Sequence, residues 1–289
     1  MTEKADLHIH TTASGDALNE PEDVFREAKH LGLAAISFTD HDSVLHHRIG
    51  RELSRKYRVE FIPGIEVSSS WEGRVAHVLA YFEGEMSPSL VVFLEKEARA
   101  AARKKAIGLI GKMREIGLDI TADEYDETAG KCSSGDSPLL RLLMRKHYVR
   151  DIADYKEKFG RINYEDNTTY SPGVFRVIEE IHKAGGIAAI AHPAGNEQTG
   201  IVSLGEPEIK EMVKHGLDGV EVFHELNSAG RRELYLQMAA RHNLLVTGGS
   251  DSHGLAGERP LGSHGCPWGP EVIRAWRQRL GPGTKGRNG

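Results

Sequence analysis

The chain has 289 residues, 39% hydrophobic and 27% charged, with a formal net charge of −5. That length suits one large α/β domain or two ordinary ones, and the acidic balance argues against a basic groove for long nucleic acid or a basic membrane patch. The two cysteines, Cys132 and Cys266, lie far apart and outside any CxxC pairing, which excludes a disulfide framework and points to a reducing compartment.

Met1-Thr2-Glu3-Lys4 runs straight into the first strand without the apolar stretch of a signal peptide, and no run approaches transmembrane length. The cytoplasm is therefore the expected compartment, with no membrane partner. Ala5–His10 reads as a strand, and Pro21–Leu31 as a helix with Asn19 as N-cap and Pro21 in its first turn. Ala34–Thr39 is a buried strand and Val44–Tyr57 a helix. Glu60–Val67 and Val75–Phe82 are strands around a turn at Trp71-Glu72-Gly73, and a long helix runs from Ser89 to Ile116.

From about 118 to 170 the rhythm breaks into short helical pieces and a Ser133-Ser134-Gly135-Asp136 turn. It resumes with a helix at Gly173–Ala184, a strand at Ile187–Ala191, a helix at Glu206–His215 and a strand at Gly219–Phe223. A helix at Ser228–His242 and a strand at Leu244–Thr247 follow. Strands alternating with helices predict a parallel α/β sheet. About seven strands, with no GxGxxG turn after the first, favour a barrel over a dinucleotide-binding sheet. The expected organisation is a barrel from 1–92 and 171–280, a helical insertion at 93–170 over the active-site rim, and a disordered tail at 281–289.

The chemistry collects at the strand ends. In a strand, alternate side chains share a face, so His8 and His10 of Asp6-Leu7-His8-Ile9-His10 point one way and Leu7 and Ile9 the other. Later strands end in or carry Asp40-His41-Asp42, Glu66, His77, His192, Glu221 to His224, and Gly248-Gly249-Ser250-Asp251-Ser252-His253. In an α/β barrel those ends share the rim where active sites are built. The set exceeds the four ligands of one zinc, and Glu66 and Asp251 suit bridging between ions. Two-metal sites serve phosphoryl transfer, and metal ions lower the pKa of bound water to about 7, so no serine or cysteine nucleophile is needed. The paired glycines before Asp251 indicate a close backbone approach to something.

The ordered set LHIHT, TDHD, PGIEVS, a lone His in the next strand, AHP and GSDSHG resembles the PHP (polymerase and histidinol phosphatase) superfamily from about Asp6 to Gly262. The resemblance points to its stand-alone members that hydrolyse nucleoside phosphates, including 5′-AMP and 3′,5′-nucleotide bisphosphates. It implies a distorted (β/α)7 TIM-like barrel and two to three divalent ions (Mn, Fe or Zn). By position, His8, His10, Glu66 and Asp251 resemble ligands of a first ion, with Glu66 bridging to a second held by His77 and His192. His41 and His253 resemble ligands of a third, completed by an acid from the loop after the first strand. The family usually reads Ser-Asp-Gly there, whereas this chain reads Ser14-Gly15-Asp16, which makes Asp16 the expected ligand.

The phosphatase branch often carries Gly-Arg-Pro-His in the insertion, where this chain has Asp136-Ser137-Pro138-Leu139. Arg141, Arg145 and Lys131 are nearby cations that could substitute or equally form a solvated helix face. Arg231 and Arg232 follow the sixth strand, and His224 reads either as a donor to phosphate or leaving group or as a strand cap. Asp6 and Asp40 are expected behind the ligands, orienting imidazoles.

The resulting expectation is a metal-dependent phosphoesterase acting on a small, nucleotide-like phosphomonoester through a metal-activated hydroxide. His8, His10, Glu66, Asp251 and His253 are its catalytic set. The alternatives are a phosphodiesterase or exonuclease on short oligonucleotides, a histidinol-phosphate-type phosphatase, a module with a structural metal, and an amidohydrolase-like C–N hydrolase.

Overall fold

The strand β1 (Lys4–Ile9) is buried along all but its first residue and pairs in parallel with β2 (Ala35–Phe38). A computed structural model of the chain describes residues 4–14, 16–84, 86–130, 137–164, 171–196, 200–255, 260–268 and 275–279. Gly15, Lys131, the 133–136 turn and the expected disordered tail at 281–289 lie outside them.

After β1 and β2 come β3 (Glu60–Phe61), β4 (Gly64–Trp71), β5 (Arg74–Tyr81), β6 (Ile187–Ile190), β7 (Gly219–Phe223), β8 (Leu245–Gly248) and β9 (Cys266–Pro267). They form two sheets, ordered β3-β2-β1-β9 and β4-β5-β6-β7-β8. The architecture is mixed α/β. Single parallel bridges, Ile9 with Ser252 and His41 with Glu66, run between residues at or beside the ends of β1 and β8 and of β2 and β4. Among the described residues no helix is long and apolar enough to cross a membrane.

The wholly parallel arrangement expected from the strand–helix rhythm does not hold. In the sheet β4-β5-β6-β7-β8, β4, β5 and β6 pair antiparallel and β6, β7 and β8 continue in parallel. The cause is local: Glu72 and Gly73 have φ of 49° and 77°, the left-handed pair of a two-residue hairpin loop. A parallel neighbour would need a crossover of a dozen residues or more. The single strand expected at Glu60–Val67 is split at Ile62-Pro63 into β3 and β4, which lie in different sheets. Proline has no N–H to continue the ladder.

Strict alternation also fails in β1. Its register against β2 shifts between Asp6 and Ile9. Leu7 packs in the cluster of Tyr81, Leu79 and Trp276, whereas Ile9 packs with Phe25 and Phe38. Such an irregularity re-aims side chains, and bulges are common beside active sites.

The helices are α1 (Pro21–His30), α2 (His47–Tyr57), α3 (Pro88–Glu115), α4 (Ala122–Ala129), α5 (Pro138–Arg145), α6 (Ile152–Tyr164), α7 (Val174–Lys183), α8 (Glu206–Lys214) and α9 (Ala229–His242). The chain divides into two compact units, Met1–Leu94 with Ser171–Gly289, and Glu95–Tyr170. In the first, Val177, Ile178 and Ile181 of α7 pack on Val78 of β5 and Ile190 of β6. The second has its own core of Leu109, Met113, Tyr125, Leu142 and Phe159. Its helix α4 starts with a Thr121–Glu124 capping box.

Glu20, not Asn19, occupies the N-cap position of α1, and its side chain makes no capping hydrogen bond. The Asn19 amide instead donates to the carbonyls of His10 and Ser252 at 2.9 and 3.0 Å, tying the ends of β1 and β8 together.

Candidate metal centre

Four ligand-type atoms meet where β1, β4 and the segment after β8 approach one another. His8 Nε2 lies 3.3 Å from His10 Nε2, 3.5 Å from Glu66 Oε2 and 3.2 Å from Asp251 Oδ1. His10 Nε2 lies 3.3 Å from Glu66 Oε2 and 3.1 Å from Asp251 Oδ1. Tetrahedral bonds of 2.0–2.1 Å to one ion set ligand atoms about 3.3–3.4 Å apart. The distances therefore suit an ion at the middle of the four.

The proton arrangement supports the same fit. His10 Nδ1 lies 3.0 Å from Ser14 Oγ, which donates its own proton to Asp40 Oδ1 at 3.0 Å. Ser14 can then only accept, so His10 carries its proton on Nδ1. His8 Nδ1 donates to Glu221 Oε1 at 2.9 Å. In the neutral imidazoles both Nε2 atoms then present lone pairs to two carboxylates. Such a set is repulsive without a cation.

Electrostatics show the same demand for positive charge. Burial, the largest influence on His10, pulls it down, but hydrogen bonds to Asp251 and Glu66 outweigh it and raise the imidazole to about 9. Burial likewise opposes His8, and Asp251, Glu221 and Glu66 raise it well above the ordinary value. Burial pushes Glu66 up, yet His77 and His8 hold it well below the usual carboxylate range. Asp251 is held low by His8 and His10 against the same penalty.

Glu66 has a second face. Its Oε1 lies 3.1 Å from His77 Nδ1 and 3.0 Å from His192 Nε2, while its Oε2 also lies 3.1 Å from His41 Nδ1. His77 Nδ1 is buried without a hydrogen-bond partner among the described residues. Such a nitrogen facing a carboxylate suits a second ion bridged by Glu66. His192 and Asp251 have φ of 26° and 53°. Left-handed backbone at a residue with a Cβ costs about 1–3 kcal/mol and clusters at functional sites.

His41 Nε2 and His253 Nε2 lie 3.6 and 3.7 Å from Asp16 Oδ2. His253 Nδ1 donates to the Asp251 carbonyl at 2.9 Å, leaving its Nε2 lone pair toward Asp16. The reversed Gly15-Asp16 order thus still brings the acid to both imidazoles. A cavity of about 330 Å³ adjoins the cluster, lined by His41, Glu66, His77, His192, Asp251 and His253 with the apolar Val75 and Ile201.

The remaining expected residues sit as follows. Asp40 accepts from the Thr11 amide at 2.6 Å and from Ser14, so it acts on His10 through Ser14 rather than on the adjacent His41. Among the described residues, Asp6 makes no hydrogen bond to an imidazole ring. It accepts from the backbone amides of Ser250 and Gly262 at 3.0 and 2.7 Å, fixing the loop that carries Asp251. Burial raises the Asp6 carboxyl despite those bonds.

His224 is buried, with Nδ1 accepting from the Leu226 amide at 3.2 Å and Nε2 lying 3.4 Å from Asp251 Oδ2. It therefore faces Asp251 directly. Arg231 is exposed on α9 and hydrogen-bonds Tyr235. Arg232 donates to the His224 carbonyl at 3.2 Å. Arg141 belongs to α5 in the 95–170 unit.

Two participants escaped the sequence reading as site residues, Ser14 and Glu221. Glu221 is a carboxylate inside the apolar GVEVF strand, as Glu66 is in GIEV.

Residues 6–228 match the PHP domain family. A 5′-3′ exoribonuclease of Haemophilus influenzae is 27% identical over 277 residues, covering 91% of this chain and 95% of that protein. A 3′,5′-nucleoside bisphosphate phosphatase of Chromobacterium violaceum is 27% identical, covering 86% of each. The crystal structure of a candidate metal-dependent phosphoesterase from Bifidobacterium adolescentis superposes with a TM-score of 0.68 at 26% identity, covering 96% of each chain. The chain belongs to the PHP family of metal-dependent phosphoesterases.

Proposed function

We propose that the protein hydrolyses a small phosphomonoester, of the class of 5′-AMP or a nucleotide 3′,5′-bisphosphate, at a centre of two to three divalent ions (Mn, Fe or Zn). The observation that carries this reading is the Glu66 carboxylate, with one oxygen facing His8, His10 and His41 and the other His77 and His192. His8, His10, Glu66 and Asp251 would hold the first ion, Glu66, His77 and His192 the second, and Asp16, His41 and His253 the third. We also propose that the two sheets form one distorted seven-stranded barrel, closed by the Ile9–Ser252 and His41–Glu66 bridges. Closure would bring these strand ends to one rim.

Divalent ions bound there would neutralise phosphate oxygens and make hydroxide available at neutral pH. The chain's own residues prepare that chemistry. Glu221 and the Ser14–Asp40 pair fix the His8 and His10 tautomers. The near-complete burial of His8, His10, Glu66 and His192 keeps bulk water from competing for the lone pairs. His41, His77 and His253 line the adjoining cavity, where the phosphate would enter. His224, directed at Asp251, would keep that carboxylate oriented. Arg231 is the phosphate contact proposed on charge alone, scored by the KM of its alanine variant.

The second reading is cleavage of short oligonucleotides, favoured by the exoribonuclease relative. The acidic chain and its 7% aromatics offer little for stacking along a strand, which supports the phosphomonoester. The test is phosphate release from 5′-AMP and 3′,5′-adenosine bisphosphate, beside mononucleotide release from a dinucleotide. Fast phosphate release, abolished by EDTA, supports the proposal. Faster mononucleotide release supports the second reading.

A further inference from the structure

Among the described residues, Glu221 is the carboxylate that touches ligands assigned to both the first and second ions without being assigned as a ligand itself. It is fully buried on β7. Its Oε1 accepts from the His8 ring at 2.9 Å and its Oε2 from the His192 backbone amide at 2.6 Å. The second bond holds a residue whose φ of 26° lies in the left-handed region, and His192 has a Cβ that opposes that conformation. Charge-assisted bonds to a carboxylate are strong enough to stabilise such a turn. Asn227 pins the strand beneath by donating to the Glu221 and Val222 carbonyls at 3.0 and 2.9 Å.

We propose that Glu221 is a positioning residue that couples the first and second ion positions, through the His8 ring on one oxygen and the His192 turn on the other. An ion on His8 Nε2 makes the Nδ1 proton a better donor and draws the carboxylate into one fixed pose. That pose presents Oε2 to the His192 amide and preorganises the second position. The coupling is reciprocal, because each ion must raise the affinity for the other by the same factor. Glutamate suits the role because it alone offers two acceptors at this reach. Glutamine has one acceptor and one donor, so its amide opposes either the His8 proton or the His192 N–H.

This inference rests on the metal reading above, and the experiment separates the two. Mn²⁺ binding to the whole apoprotein is followed by the electron paramagnetic resonance of free ion, and Co²⁺ binding by visible absorption. The wild type takes up its first two ions cooperatively, with a Hill coefficient above 1. E221Q binds them in separate steps, the first weakened about 10–100-fold, with an altered Co²⁺ band. E221D keeps two acceptors on a shorter arm and recovers part of the cooperativity, and it carries the test if E221Q does not fold. Unchanged affinity and cooperativity in a folded Glu221 variant overturn the coupling alone. A wild-type protein that binds no ion overturns the metal reading itself.

Discussion

Ser14 and His10 are joined by a 3.0 Å hydrogen bond whose direction is forced, because the serine proton is already committed to Asp40. One hydroxyl thereby determines which nitrogen of His10 faces the carboxylates of Glu66 and Asp251. Ser14 also accepts from the His41 amide at 3.0 Å, so it aligns two expected ligands at once. Ser14→Ala is expected to weaken metal binding by about 10–100-fold while leaving the far-ultraviolet circular dichroism unchanged. Isothermal titration of the apoprotein with Mn²⁺ measures it, and an unchanged affinity contradicts the tautomer argument.

Gly249 allows the loop before Asp251 to lie against β1. A Cβ there would sit 2.3 Å from the His8 Cβ and 2.4 Å from its backbone nitrogen, so that strand must shift. Gly249→Ala is expected to cost about 1–3 kcal/mol of stability and to lower metal affinity through His8. Urea unfolding and metal titration score both effects.

The metal-free protein should lose stability as pH rises. His10 binds its proton more tightly when folded, at about 9, than at the ordinary 6.5 of an unfolded chain. Its contribution is whole below about 6.5 and fades as pH climbs through 9. His8, raised in the same direction, adds to that trend. Melting temperatures of the EDTA-treated protein should therefore fall between those pH values. Mn²⁺ should abolish the fall, since metal then replaces the protons. Metal affinity should rise over the same window.

Ion removal should also lower the melting temperature outright. At free metal 100-fold above Kd the linkage amounts to about 2.7 kcal/mol per ion, or about 5–10 °C for a chain of this size. Thermal melts before and after chelation measure it, and identical melts would contradict a folded-state metal site.

How much was legible follows from sequence distance. His8 and His10 declared themselves because two residues on one strand suffice to see the pair. Glu66 stood out as a carboxylate carried by a strand among the other ligand-type residues, and the two glycines before Asp251 announced a close approach that proves to be to His8. The partners of Asp6 and Glu221 were hidden. Asp6 holds Gly262, and Glu221 holds His8 from 213 residues away. No local pattern carries a pairing of that span. The antiparallel β4–β5 pairing was written in the two-residue loop Glu72-Gly73 but was overridden by the strand–helix rhythm around it. Asn19 looked like a helix cap because its tie to Ser252 depends on β8 lying alongside.

The most direct test of the central claim is metal stoichiometry by inductively coupled plasma mass spectrometry, measured together with phosphate release from 5′-AMP, on wild type and His10→Ala. Two or three divalent ions per wild-type chain are expected, with fewer in the variant and at least a hundredfold loss of phosphate release. A wild-type chain that releases phosphate at full rate after chelation, or a His10→Ala variant that keeps both its metal and its activity, would contradict it.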